Sequence, residues 1–303
     1  METMQTKTDQ QIKAEIDSHR AGRSLGKIIM YAGMGLVILF LIMGKILFPI
    51  LFALLVIIPG ALIMLHHENA IKEILGEQVV KNLVLDAFGP ETTYEPFGFI
   101  SEEEIRLADI RLPSASSLDK VYGTDRICAL YKGLHIEMSD VSLVHVDITT
   151  DDDGDSTETE KEIFKGQWMI CDFGKELSAE VRLSEYSKKF PRRLKNQTIR
   201  LENEAFNSRF LVFSENPHEV FYLLTPHMME YILAMSDRSG KNVYMSFLRG
   251  GKLHIAVNSG KDFFELGKGK TDIDLLRSTF LSEIKWFTDM IDELRVSETL
   301  YRP

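Results

Sequence analysis

The sequence predicts an α+β protein in which an N-terminal transmembrane helical hairpin precedes a strand-rich soluble domain with inserted and C-terminal helices. Three observations support this prediction. An almost wholly apolar segment extends from Ile28 to Leu65, short apolar runs with strand-like alternation dominate after about residue 119, and a long amphipathic pattern follows Thr271. The 303-residue chain is long enough for one or two domains with a sizeable core.

The length of the apolar segment predicts two membrane spans. As one helix, Ile28–Leu65 would be roughly 57 Å long, almost twice a hydrocarbon core of about 30 Å. Gly44 and Lys45 lie near its midpoint, where glycine permits the backbone angles of a turn and lysine favours water or lipid head groups. A single span with Lys45 reaching the interface is the alternative. A signal peptide is disfavoured because a second apolar run follows at once.

Small residues predict how the two spans pack. Ala32, Gly33 and Gly35 offer small surfaces that the second span can approach closely. Pro49 and Pro59 lie in the second span, where neighbouring groups can satisfy the carbonyls that proline leaves free.

Positive charge flanks the outer ends of both spans. The flanking cations are Arg20, Arg23 and Lys27 before the first span, and Lys72 and Lys81 after the second. The tip between the spans offers only Lys45. The positive-inside rule therefore predicts a two-pass cell-membrane protein with both termini in the cytoplasm, a setting that keeps Cys128 and Cys171 reduced.

The pattern divides the chain into four segments. A polar N-terminal helix occupies residues 1–27, the transmembrane hairpin 28–65, a stalk helix 66–90 and the cytoplasmic α+β domain 91–300. Within that domain a capping box at Ser101 predicts a short helix, Thr225-Pro226 opens another, and Thr271 caps the last. Strands are predicted at 127–131, 134–138, 142–148, 163–173, 210–214, 219–224, 242–248 and 252–257.

The charge distribution excludes one class of partner. The net charge is −10, and because residues 1–65 carry a small positive excess, the acidic excess lies in the domain that follows. An acidic domain gains nothing from nonspecific attraction to nucleic acid or anionic lipid, so we expect no nucleic acid as a partner. The lipid bilayer is expected as a partner because of the apolar hairpin.

The acidic loop TTDDDGDSTETE at 149–160 is a candidate calcium or magnesium site. It places Asp151, Asp153 and Glu160 at the third, fifth and twelfth positions of the calcium-loop pattern, with Asp155 as a further carboxylate. Thr149 occupies the first position, where a carboxylate is expected. The alternative is a solvated hairpin tip.

A basic island, KKFPRRLK at 188–195, stands out in the acidic domain. Contact with lipid head groups or another anion would contribute about 1 kcal/mol per charge near a membrane surface. The alternative is a solvated connector, since the net charge of the domain opposes docking. The cations of the island are Lys188, Lys189, Arg192, Arg193 and Lys195.

Three stretches carry a resemblance to a known family. FKGQWMICDF, LENEAFNSRFLVFSENPHEVFYLLTPHMMEYIL and KLHIAVNSGKDFFEL resemble a bacterial family of unknown function whose members often bear the mistaken label "galanin". The resemblance covers most of residues 70–295. It implies two N-terminal transmembrane helices before the domain, no established activity or catalytic residues, and a LemA-like membrane protein as a potential partner.

The sequence predicts no catalytic residue. No histidine pair has zinc-site spacing and no nucleophile elbow is present. We therefore expect a membrane-anchored cytoplasmic binding or scaffolding module of unknown biochemical activity. The alternative is a membrane-tethered enzyme with an unrecognised site that depends on a divalent metal.

Overall fold

The chain forms two compact units, one mainly helical and one built on a β-sheet with helices. One unit, here the helical unit, comprises Met1–Leu83 and Phe264–Thr279; the other, the sheet unit, comprises Val84–Phe263 and Phe280–Pro303. With 49% helix and 26% strand, the chain is α+β as predicted. The predicted division into four segments stays a prediction, because the two compact units do not distinguish a membrane span from a stalk helix. The computed structural model describes residues 7–44, 47–113, 116–150, 156–172, 174, 176–266 and 271–293.

The first helix, α1 (Asp9–Ile42), runs without a break from the polar N-terminal sequence into the apolar one. It begins at a capping box, in which Thr8 Oγ1 accepts from the Gln11 backbone N–H and Gln11 Oε1 accepts from that of Thr8. Gly44 follows with a φ of +69°, a left-handed conformation that suits glycine. Lys45, the other residue of the predicted turn, lies outside the described residues.

The second helical segment is antiparallel to α1 and changes pitch twice. It contains α2 (Leu47–Phe52), α3 (Ile58–Leu75) and α4 (Lys81–Phe88), joined by π-helical turns at Ala53–Ile57 and Gly76–Val80. Pro59 has no N–H and leaves the carbonyl four residues earlier without its usual donor. That carbonyl belongs to Leu55, inside the first π-helical turn, so the wider turn lies where the regular pattern fails.

The contact face of α1 repeats every seven residues, the period of helices that wind around each other with a left-handed twist. Its members are Ile12, His19, Gly26, Gly33 and Phe40. At one end Phe40 stacks on Phe52, with ring centroids 5.4 Å apart. At the other, His19 Nδ1 lies 2.9 Å from His67 Nδ1.

Glycines make the closest contact between the two helices. A Cβ on Gly26 would lie 2.7 Å from the Met64 backbone nitrogen and 2.8 Å from the Gly60 carbonyl oxygen. A Cβ on Gly33 would lie 2.8 Å from Ile57 Cγ1. The backbones therefore approach to a distance that only glycine permits.

The predicted contact role of Gly33 is confirmed, but that of Ala32 and Gly35 is wrong. Ala32 is exposed, and a Cβ on Gly35 would meet nothing within 4 Å. An α-helix has 3.6 residues per turn, so neighbouring residues are rotated by about 100° around the helix axis. Ala32, one residue before Gly33, and Gly35, two residues after it, therefore point away from the face that Gly26 and Gly33 share.

The outward faces of both helices are apolar. In the most apolar 18-residue window of each helix, mean hydropathy is 2.2 and 2.4, yet only 11% of each window is buried. A core helix of a water-soluble domain would bury such a window. These are therefore two candidate membrane-spanning helices.

The sheet unit is built on eight strands whose pairings are all antiparallel. In spatial order they run β1-β2-β3-β4-β8-β7-β5-β6. The strands are β1 (Thr93–Glu95), β2 (Lys120–Tyr131), β3 (Leu134–Thr150), β4 (Ser156–Asp172), β5 (Val181–Glu185), β6 (Phe210–Phe213), β7 (Asn242–Phe247) and β8 (Lys252–Asn258).

Long hairpins form the centre of the sheet. Lys132 and Gly133, both with positive φ, make the two-residue turn between β2 and β3. The β3–β4 pair then extends far beyond its neighbours, which unites two predicted strands into β3. The predicted hairpin through Arg249-Gly250-Gly251 is confirmed by the β7–β8 pairing.

One predicted strand is wrong, and two strands, β1 and β5, were not predicted. Residues 219–224 lie largely in α8 (Pro217–Leu223) because Asn216 caps its first turn and Pro217 occupies the first helical position. The partner of β6 is instead β5, a five-residue strand that also pairs with β7.

Short helices connect the strands, and one long helix follows them. They are α5 (Glu102–Ala108), α6 (Arg192–Lys195), α7 (Glu204–Arg209), α9 (Pro226–Ser239) and α10 (Ile273–Glu293). The predicted apolar stripe of α10 is buried from Ile273 to Ile291, and Leu294 lies outside the described residues. Within the helical unit, Arg277 of α10 donates to both carboxylate oxygens of Asp9.

A change of Gly26 to alanine tests the backbone contact. We expect Gly26→Ala to lower the free energy of unfolding by about 1–3 kcal/mol, because the new methyl group meets backbone atoms that cannot move aside. Reversible denaturation of the full chain in bicelles with increasing SDS measures this difference.

Gly35→Ala is the matched control, since its methyl group would face open space. Equal destabilisation by the two variants would contradict the packing described above.

Candidate functional site

A cavity of about 770 Å³ opens in the sheet unit. Its walls are α5, the described residues between α5 and Leu118, the inner face of β3 and β4, and the segment from Pro191 to Gln197. The volume falls within the range of about 300–1,000 Å³ that is typical of small-molecule sites. We therefore treat this cavity as the candidate functional site.

The floor of the cavity belongs to the hydrophobic core. Trp168 and Leu143 line it, although each is almost fully buried. Alternation along β3 and β4 places these side chains on the inner face of the sheet. Phe164 packs edge-to-face on Trp168, with ring centroids 5.8 Å apart, which fixes the indole in place.

The upper walls contain half-buried apolar side chains. Five half-buried apolar side chains pack against the main core cluster, and four of them line this cavity. The cluster is thus left incompletely covered at the cavity. The four are Ile110, Leu118, Ile163 and Leu194.

The rim carries three arginines, two of which have partners. Arg106 pairs with Glu102 and also donates to the carbonyl oxygens of Leu118, at 2.9 Å, and Asp119, at 3.1 Å, so it fastens the loop to α5. Arg111 pairs with Asp109 at 2.8 Å. The positive charges of both arginines are therefore compensated by neighbouring carboxylates.

Arg193 is the third rim arginine, and it is exposed and makes no hydrogen bond or ion pair with the described residues. Gln197 lies four residues later and lines the same part of the cavity, with an exposed side chain. Phe190, 3% exposed and part of the core cluster, fixes the start of this segment to the sheet unit. The mouth of the cavity therefore presents one uncompensated cation beside an amide.

The structure separates the cations of the basic island. Arg193 lines the cavity, whereas Lys188, Lys189 and Arg192 are exposed outside it. Lys195 lies 4.9 Å above the Tyr186 ring and donates to the Tyr186 hydroxyl. Anion or lipid contact by these residues stays a prediction.

The predicted metal loop lies largely outside the described residues. This is so for Asp151, Asp153 and Asp155, whereas Glu160 lies on β4. Glu160 accepts from Lys120 at 2.7 Å and from the Tyr122 hydroxyl at 3.3 Å. In the part of the chain that the structure describes, no group of three acidic, histidine or cysteine side chains is placed to hold a metal ion. Calcium or magnesium binding by the loop stays a prediction.

A buried histidine supports the cavity floor from below. Trp168 Nε1 donates to His254 Nδ1 at 3.2 Å, which leaves the proton of the neutral imidazole on Nε2. Nε2 lies 3.7 Å from Glu104 Oε2, and Lys252 pairs with the other oxygen of that carboxylate. Burial lowers the pKa of His254 to about 4, so the ring is neutral at physiological pH.

A second buried polar cluster lies elsewhere on the sheet. Asp125, in a β2 bulge with a φ of +60°, accepts from the Tyr94 hydroxyl at 2.5 Å. Asp140 accepts from Gln167 Nε2 at 3.1 Å and from the Phe263 backbone N–H at 2.6 Å. Burial, and then the charge of Asp125, raise the pKa of Asp140 well above its usual range.

Most of these residues carry no local signal in the sequence. Arg106 and Arg111 are ordinary charged residues in sequence, and only the tertiary fold brings them beside Arg193. Asp140 is different. It is a carboxylate within an apolar strand, at the same alternating positions as the apolar residues Ile136 and Met138, and such a carboxylate can be recognised from the sequence.

The fold and the cavity define a class of protein: an α+β chain with two candidate membrane-spanning helices and an antiparallel sheet unit that contains a cavity with an apolar floor and a basic rim. Residues 162–296, from β4 to beyond α10, match a family described as "Protein of unknown function (DUF3137)". The match contains all three stretches that carry the resemblance, so a domain of unknown function is confirmed there. The particular family named from the resemblance stays a prediction.

No curated protein and no solved structure matches the chain.

The neutral state of His254 predicts an acid-sensitive sheet unit. A histidine whose folded pKa lies below its unfolded value binds more protons when unfolded, so stability is lost as pH falls from 6.5 to about 4. We expect this residue to contribute a loss of roughly 3 kcal/mol across that window.

The variant His254→Asn isolates this contribution. Its side-chain oxygen can still accept from Trp168, but the side chain does not titrate. Stability of the full chain, measured by thermal denaturation in nanodiscs between pH 4 and 7, should be lower in the variant at pH 7 but less dependent on pH. An unchanged pH dependence would contradict the assignment.

Proposed function

We propose that the chain is a two-pass membrane-anchored module whose sheet unit lies in the cytoplasm and binds a ligand or partner through the cavity rimmed by Arg193. The observation that carries this proposal is the outward exposure of both apolar helices, of which only 11% of the most apolar window is buried. Lipid is the environment that such faces require.

The charged ends of the helices support a cytoplasmic location for both termini. Arg23 of α1 pairs with Glu68 of α3 at 3.0 Å, so the polar ends of the two antiparallel helices lie at the same level. Gly44 lies at the opposite end of the apolar band. Because the flanking cations concentrate at the polar ends, the positive-inside rule favours the cytoplasm for that side.

The cavity supports binding rather than turnover. Its described lining combines an apolar floor with a basic rim, which suits recognition of a ligand. A scaffolding role is compatible with the same surface. Turnover that requires calcium or magnesium and is lost in Glu160→Gln would instead favour the enzyme alternative.

Cysteine labelling tests the orientation. In a Cys128→Ser background, Cys171 is buried and stays unlabelled, so single cysteines can be introduced at Gly44 and Lys189. We expect a membrane-impermeant maleimide to label Gly44→Cys in intact spheroplasts and Lys189→Cys only after permeabilisation, because the proposal places these residues on opposite sides.

Ile50→Cys is the control within the apolar band, and it should resist labelling in both states. The protein should also stay with the membrane after washing with high salt and alkaline carbonate. Labelling of Lys189→Cys in intact spheroplasts, or release by the washes, would overturn the proposal.

A further inference from the structure

We propose that the cavity binds a single-chain amphiphile with one anionic head group, such as a medium-chain carboxylate. This inference rests on the proposed binding function and specifies the class of ligand. It places the head group against Arg193 and Gln197 and the chain on the half-buried apolar walls.

The apolar part of the ligand is inferred from the walls. Ile110, Leu118, Ile163 and Leu194 pack on the core on one side and are partly open on the other. An alkyl chain laid across them would remove their remaining apolar surface from water, which is favourable in proportion to the area covered. A strongly polar ligand would leave this driving force unused.

The anionic part is inferred from the charge of the rim. The described lining contains three arginines and one aspartate, in a chain whose net charge is −10. This local reversal of sign favours an anion. A cationic amphiphile would be repelled by the same rim.

The single negative charge of the ligand is inferred from the ion-pair partners of the rim arginines. Arg106 and Arg111 are already paired with carboxylates, so only Arg193 has a guanidinium free of described partners. One guanidinium can hold one carboxylate with two parallel hydrogen bonds. Gln197 can donate a further hydrogen bond from the same side of the mouth.

The volume limits the size of the ligand. About 770 Å³ is enough for a molecule of small-ligand size. We therefore choose decanoate as the probe, with decanol as the uncharged equivalent and decylammonium as the cationic one.

The test uses the full chain in nanodiscs of zwitterionic lipid. The sequence contains two tryptophans, so Trp286→Phe leaves Trp168 as the only indole. Because Trp168 lines the cavity floor, decanoate with a terminal bromine, a contact quencher, should reduce its fluorescence in a saturable manner. Decanoate without bromine should compete.

Two neighbouring arginines give a matched pair of variants. Arg193→Gln should weaken decanoate binding about tenfold or more, because it removes a charge-assisted hydrogen bond. Arg192→Gln removes an exposed arginine of the same helix that does not line the cavity, and it should bind like the parent. Arg193→Lys should recover part of the affinity. Each methylene removed from decanoate should weaken binding roughly fourfold.

The anion could come from solution or from the membrane, and the lipid composition distinguishes these sources. A change in Trp168 fluorescence on adding an anionic single-chain lipid to the nanodisc, lost in Arg193→Gln, would identify a membrane lipid as the amphiphile. Equal affinity for decanoate and decanol, or equal binding by Arg193→Gln and Arg192→Gln, would overturn the inference. Because this measurement does not depend on orientation, it can fail while cysteine labelling upholds the proposed function, and the reverse also holds.

Discussion

The buried indole of Trp168 constrains the organisation of the sheet unit. An indole N–H without an acceptor is costly inside a protein, and this one finds His254 Nδ1 at 3.2 Å. That bond requires an unprotonated Nδ1, which burial of the ring also favours. The carboxylate of Glu104 lies near the other ring nitrogen and is compensated by Lys252. Contacts that start at one aromatic side chain thus connect β4 to β8 through His254, and β8 to α5 through Glu104.

The cavity is a consequence of how this core is covered. Phe190 packs into the cluster around Trp168 and brings α6 to the sheet, while the Arg106 side chain holds the loop after α5 in place. Each attachment fixes one wall, and the four half-buried apolar residues between them are left partly open. The basic island is therefore not a free connector along its whole length. Its aromatic residue fixes it, and only Arg193 among its cations turns towards the opening.

The features that the sequence predicted are those set by length, period and charge. The two apolar helices followed from a segment too long for one span, and the β7–β8 hairpin from its glycine turn. The strand at 219–224 failed because Asn216 and Pro217 start a helix, and local capping prevailed over an apolar run. The Gly26 contact depends on which face of α1 packs against the second helical segment, and the cavity depends on residues that are distant in sequence. Neither feature could therefore be predicted from a local sequence pattern.

Burial favours the uncharged forms of both a histidine and an aspartate in the interior of the sheet unit. It lowers the pKa of His254 and raises that of Asp140, so each favours its uncharged form. The linked effects on stability are opposite: the His254 contribution is lost as pH falls from 6.5 to about 4, whereas the Asp140 contribution is lost as pH rises above the usual range of an aspartate. An interior that resists charge leaves ionic recognition to the surface. The uncompensated guanidinium of Arg193, beside an apolar opening in an acidic chain, is then the place where a charged amphiphile gains most from both kinds of interaction.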